Sequence, residues 1–133
     1  MIGNVPDGWR VEKLGDICNI QAGGTPSRAK PEYWNGNIPW IKISNIKSKY
    51  TTKATEFITE KGLNNSSTKL LKVNTILYTI FATLGEVSIL KFEATTNQAI
   101  VGIVVKDENI NLYYLYNYLK SIKETVINQG RGV

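Results

Sequence analysis

Gly23-Gly24-Thr25-Pro26-Ser27-Arg28, running on through Tyr33-Trp34 to Ile38-Pro39-Trp40-Ile41-Lys42, is the stretch around which this chain is organised. A glycine-proline turn comes first, then two tryptophans with cations set among them. Residues 23–37 also hold Asn35-Gly36, so they read as a loop with its own packing, anchored by Tyr33 and Trp34. Apolar and polar residues alternate from Trp40 to Ser44, which predicts a strand with Trp40 and Lys42 on one face. A glycine-rich turn can cradle a nucleotide phosphate, but no Lys-Ser/Thr pair follows this one, and no GxGxxG occurs elsewhere. The turn therefore reads as scaffold.

Outward from that stretch, the signals are mostly β. Leu14, Ile17 and Cys18 have helical spacing and predict one or two helical turns, stopped by Gly23-Gly24. Residues 56–59 predict a short strand, and residues 59–67 a helical turn and a polar loop. Residues 70–81 and 86–92 predict two neighbouring strands around the turn Leu84-Gly85-Glu86. Ala99-Ile100-Val101-Gly102-Ile103-Val104-Val105 is the most β-rich run and predicts a central strand. Leu112, Leu115, Tyr116, Leu119, Ile122 and Val126 predict one amphipathic helix, with Asn111 as its N-cap and Gly130 to Val133 as a flexible end. The expected class is α+β: a mostly antiparallel, twisted or barrel-like sheet with long loops and a C-terminal helix.

The chain has 133 residues, 42% hydrophobic and 20% charged, the size and balance of one soluble domain. Cys18 is the only cysteine, which excludes an intrachain disulfide and favours a buried thiol. There is no histidine, so the usual metal ligand and the usual general base are both missing. HExxH, the Asn-Pro-Pro-Tyr motif of adenine methylation and the Asp…Glu-x-Lys nuclease pattern are also absent. Asp107-Glu108 reads as a solvated turn. These absences point to a binding domain. No apolar run is long enough to cross a bilayer, and no signal peptide is evident at the N-terminus, so a cytoplasmic protein is expected.

The net charge is +5, and its location is informative. Residues 21–55 carry Arg28, Lys30, Lys42, Lys47, Lys49 and Lys53 against Glu32 alone. Such a segment is the footprint expected of a phosphate-backbone partner. Polar loop residues beside it can meet base edges.

At these residues the sequence resembles a target recognition domain from the specificity (S) subunit of type I restriction-modification systems. The ordered motifs are Pro6-Asp7-Gly8-Trp9, Leu14-Gly15-Asp16-Ile17, Gly23-Gly24-Thr25-Pro26-Ser27, Tyr33-Trp34 and Ile38-Pro39-Trp40-Ile41. They continue with Ile58-Thr59-Glu60-Lys61-Gly62-Leu63, Ser66-Ser67, Ala82-Thr83-Leu84-Gly85-Glu86-Val87, Thr96-Asn97-Gln98-Ala99, the tyrosine-rich residues 112–119 and Gly130-Arg131-Gly132-Val133.

The resemblance implies double-stranded DNA as the partner, with residues 1–133 forming one recognition domain that reads one half of a split site. It implies that the spacer helix and second domain of a full S subunit lie outside this chain. It implies no catalytic group and no cofactor here: S-adenosylmethionine belongs to a methyltransferase (M) subunit, ATP and magnesium to a restriction (R) subunit. A homodimer of half-subunits is a further arrangement it allows.

The DNA face is expected on loops from Gly23 to Lys53, around Thr79–Gly85 and at Asn97-Gln98. The candidate contacts are Thr25, Ser27, Arg28, Lys30, Lys42, Ser44, Asn45, Lys47, Lys49, Lys53, Thr79, Thr83, Asn97 and Gln98. Ile80-Phe81 stands where the family often has a polar residue, so Phe81 is given no DNA contact. The rival reading is a protein-interaction module that docks a methyltransferase or a second copy of itself without binding DNA.

Overall fold

A computed structural model describes residues 17–80, 87–107 and 109–131, with side chains as far as residue 122. Ile100–Val105 forms a strand that lies inside a five-stranded sheet, as its β-branched run predicts. In chain order the strands are β1 (Cys18–Ala22), β2 (Trp34–Ile41), β3 (Tyr50–Thr51), β4 (Glu56–Ile58), β5 (Ile76–Thr79), β6 (Ser88–Leu90), β7 (Thr95–Thr96) and β8 (Ile100–Val105). Among the described residues α1 (Glu60–Asn64) and α2 (Leu112–Arg131) accompany them. The larger sheet has the order β1-β8-β5-β6-β3, the smaller β4-β2-β7. Pairing is mostly antiparallel; β3 on β6 and β7 on β2 are the parallel pairs. The α+β class holds, with the strands divided between two sheets.

The inner strands of the larger sheet, β5, β6 and β8, are covered on both faces. Successive strand residues point to opposite sides, so Ile76, Ile89 and Ile103 join one core and Leu77, Leu90 and Ile100 join another. The first core is closed by Leu115, Tyr116 and Leu119 of α2. The second is closed by Ile41 and Ile46, from the end of β2 and the turn after it, with Leu71 and Ala94. A strand covered on both sides reads as a near-continuous apolar run, which is how Ile100–Val105 appears.

Several expectations are corrected. Cys18–Ala22 is a strand and not the continuation of a helix. Its alternation is weak because only Cys18 is buried, and its pairing comes from the β8 main chain. Leu14 and the N-terminal motifs lie outside the described residues, as do the turn at residues 81–86, Glu108 and Gly132-Val133. Trp34 to Asn37, expected in a loop, open β2. Trp34 and Ile38 both face Ile58, so Asn35-Gly36-Asn37 bulges out of the ladder. Asn35 takes φ 61°, and a Cβ on Gly36 would stand 2.4 Å from the Ile58 carbonyl oxygen. The β2 strand stops at Ile41, and Ile43–Asn45 forms a 3-10 turn where the alternation predicted more strand. Asn111 caps α2 as expected, its Oδ1 accepting from the Tyr113 and Tyr114 amides at 2.9 and 3.1 Å. The helix runs through Gly130 to Arg131, where a flexible end was expected.

Candidate nucleic-acid interface

The glycine-proline turn is tied to the loop that follows β7. The Gly23 amide donates to the Ile100 carbonyl at 3.2 Å and the Gly24 amide to the Thr96 carbonyl at 2.9 Å. Only glycine fits: a Cβ at position 23 would lie 2.1 Å from the Asn97 carbonyl oxygen, and one at position 24 would lie 2.1 Å from Ser67 Oγ. Close approach, not a phosphate, explains the pair. The Thr25 hydroxyl donates to Gln98 Oε1 across this junction. Two motifs distant in sequence thus meet on one exposed surface.

Both tryptophans pin the turn. Trp40, buried, donates its ring N–H to the Gly24 carbonyl at 2.9 Å, and Trp34 donates to the Ser27 carbonyl at 3.1 Å. Their rings meet edge to face with centroids 5.2 Å apart. Arg28 lies over this pair, its guanidinium carbon 3.8 Å from the Trp34 centroid and 5.1 Å from that of Trp40.

The same guanidinium grips Glu56 of β4, at 2.6 Å to Oε1 and 3.3 Å to Oε2. Lys42 reaches Glu56 Oε2 at 2.9 Å. The hydrogen bonds from Arg28 and then Lys42 hold the Glu56 carboxyl at about 2, well below its ordinary range, and hold Arg28 above its own. Two of the cations expected on phosphates are therefore paired inside the protein. One carboxylate lowers the field of both, and a phosphate must compete with Glu56 for them. Glu56 was missed because it lies one residue beyond the basic segment, in a separate strand.

The other candidates divide by burial. Lys47 and Lys53 are exposed and form no ion pair among the described residues. Lys30 and Ser44 are exposed on the 3-10 turns. Lys49 is exposed and lies against tyrosine rings. Asn45 is committed to its turn: Oδ1 accepts from the Lys42 amide at 3.0 Å and Nδ2 donates to Thr55 at 3.2 Å. Asn97 is also committed, its Oδ1 accepting from the Ala99 amide at 3.0 Å. Thr25 and Gln98 bond each other, and Ser27 is exposed while its carbonyl holds Trp34. Thr79 is a correction: it is fully buried in β5, against the Ile100 register of β8, and offers no surface to DNA. Thr83 lies outside the described residues. Among the described residues no group of three or more Cys, Asp or Glu is placed to hold a metal ion.

The family model for the type I restriction modification DNA specificity domain matches residues 6–133. The chain belongs to that family. Among similar proteins, the specificity subunit of the type I restriction enzyme MjaIX from Methanocaldococcus jannaschii is 39% identical over 132 residues, 91% of this chain and 31% of that one. The specificity subunit of EcoR124I/EcoR124II from Escherichia coli is 34% identical over 128 residues, 92% of this chain and 31% of that one. The specificity domain thus spans about a third of the length of these relatives.

The crystal structure of the HsdS subunit from Thermoanaerobacter tengcongensis superposes with a TM-score of 0.74 at 15% identity, covering 92% of this chain and 30% of that one. A chain from a study of complex assembly and conformational transition of the type I R-M system gives 0.76 at 16% identity, covering 93% and 30%. At that identity the likeness carries the fold, and the fold is that of HsdS subunits.

Proposed function

We propose that this specificity domain binds double-stranded DNA and reads one half of a split target, directing partner methyltransferase and restriction subunits to it. The observation that carries the reading is the DNA specificity family match over residues 6–133. The surface supports it: Lys30, Lys47, Lys49 and Lys53 of residues 21–55 are exposed, and the motifs at Gly23–Gly24 and Thr96-Asn97 are joined by main-chain hydrogen bonds. In this reading residues 1–133 are one recognition domain, and a second domain in the same polypeptide or a second copy of this chain reads the other half. Catalysis lies elsewhere, with S-adenosylmethionine, ATP and magnesium held by the partner subunits, and the protein works in the cytoplasm. Among the described residues no helix is long and apolar enough to cross a membrane.

Selection from a randomised duplex pool tests the reading. Enrichment of one short motif, with affinity falling steeply as salt rises, is expected. A pool that stays random through repeated rounds would contradict it.

A further inference from the structure

The second cationic cluster of the molecule has a different construction from the Arg28–Glu56–Lys42 triad. The β3 strand pairs in parallel with β6, with Tyr50 opposite Ile89. That register fixes the main chain on both sides of Tyr50: the Lys49 carbonyl accepts from the Ile89 amide at 2.7 Å, and the Lys91 amide donates to the Thr51 carbonyl at 3.0 Å. The Lys49 and Lys91 ammonium groups each lie 5.6 Å from the Tyr50 ring centroid. Helix α2 adds two more rings beside Lys49, Tyr113 at 5.0 Å and Tyr116 at 5.4 Å.

Charge and hydroxyl chemistry set this cluster apart. Among the described residues neither Lys49 nor Lys91 pairs with a carboxylate; Lys91 bonds only the neutral Asn74 amide oxygen, at 3.0 Å. Their field therefore reaches solvent, whereas Glu56 offsets much of the field of Arg28 and Lys42. Interaction with the neighbouring Tyr113 hydroxyl, and then desolvation, raise the Tyr50 phenol above its ordinary value. The Tyr116 hydroxyl is buried and, among the described residues, has no hydrogen-bond partner, so this ring walls the cluster from the core side and presents no donor to solvent. The rings hold Lys49 through cation–π contacts, and an ammonium already held in place loses less freedom when it meets an anion.

We propose that Lys49 and Lys91, set on the Tyr50–Tyr113–Tyr116 platform, form a contact patch for the phosphate backbone of duplex DNA. The proposal rests on the DNA-binding reading above and adds α2 and β6 to the surface, neither of which carries a cation in the basic segment. Two compact hydrated cations beside the exposed Tyr50 and Tyr113 rings suit separate phosphate oxygens, and such contacts set position without reading bases. The patch thus assigns docking to the β3–β6 edge and leaves base reading to the loops around Gly23–Arg28 and Asn97-Gln98.

The test is fluorescence anisotropy of the chain with a labelled duplex across a salt series, for the parent, K49A/K91A and K49R/K91R, with thermal melts confirming equal folding. K49A/K91A is expected to bind about tenfold more weakly at low salt, with the slope of log affinity against log salt reduced by roughly 2. K49R/K91R is expected to restore the parent slope, because both charges remain. A parent that binds DNA with a slope unchanged in K49A/K91A would overturn the patch and leave the DNA-binding reading standing. Loss of methyltransferase binding in K49A/K91A with DNA affinity intact would make the patch a protein-docking surface and also overturn it. A parent that binds no duplex even at low salt would sink the DNA-binding reading itself, before any variant is compared.

Discussion

Replacing Glu56 with glutamine removes one negative charge and keeps the shape of the side chain. In the native protein its carboxyl is held from an ordinary 4.5 down to about 2, first by the Arg28 hydrogen bonds and then by Lys42. At 1.36 kcal/mol for each pH unit, that drop corresponds to about 3.4 kcal/mol. The Arg28 and Lys42 side chains are 55% and 36% exposed, so solvent screening reduces the contribution to about 1–2 kcal/mol.

The sign follows from linkage. A carboxyl whose value is lower in the folded state stabilises the fold above its unfolded value, and that stability is lost as pH falls toward the folded value. Urea unfolding of the parent and E56Q at pH 7 is expected to differ by about 1–2 kcal/mol. The gap is expected to hold down to about pH 5 and to close as the pH falls from there toward 2. E56Q also releases Arg28 and Lys42 from competition, so its affinity for nonspecific duplex rises at low salt. Equal stability of the two proteins at pH 7, or a gap that is the same at pH 3 and pH 7, would refute the triad as described.

Three further changes have defined outcomes. Gly23→Ala places a methyl group 2.1 Å from the Asn97 carbonyl oxygen, and urea unfolding should show a loss of about 1–3 kcal/mol, with the loop after β7 displaced. Trp40→Phe keeps most of the ring and removes the N–H bonded to the Gly24 carbonyl, so a loss of about 1 kcal/mol is expected, read as a lower melting temperature. Thr59→Ala removes the acceptor for the Gly62 amide at the start of α1 and the donor to the Glu32 carbonyl, with about 1–2 kcal/mol lost in chemical denaturation.

Ile100–Val105 was legible because a run of β-branched residues has few other places to go, and Asn111 because an N-cap acts on its own helix. The candidate DNA-binding surface is drawn from the sequence only as a region. Thr79 looked available on sequence, but β5 is covered on both faces and Thr79 is enclosed with it. Lys42 looked free because its partner arrives from β4 through tertiary pairing with β2. The Cys18–Ala22 strand was masked by helical spacing that continues into it from Leu14 and Ile17. Its partner is the main chain of β8, which side-chain pattern does not encode. Lys91 was not singled out because the β3–β6 register, not sequence proximity, brings it to Tyr50, and the place of Tyr113 and Tyr116 beside Lys49 comes from the tertiary packing of α2.

The central claim is that this domain selects a DNA site for modification. Mapping N6-adenine methylation across the genome of the source cell, with the gene intact and with it deleted, tests that most directly. The account predicts that methylation disappears at one split motif and is unchanged at every other. Methylation that is identical in the two genomes would contradict it.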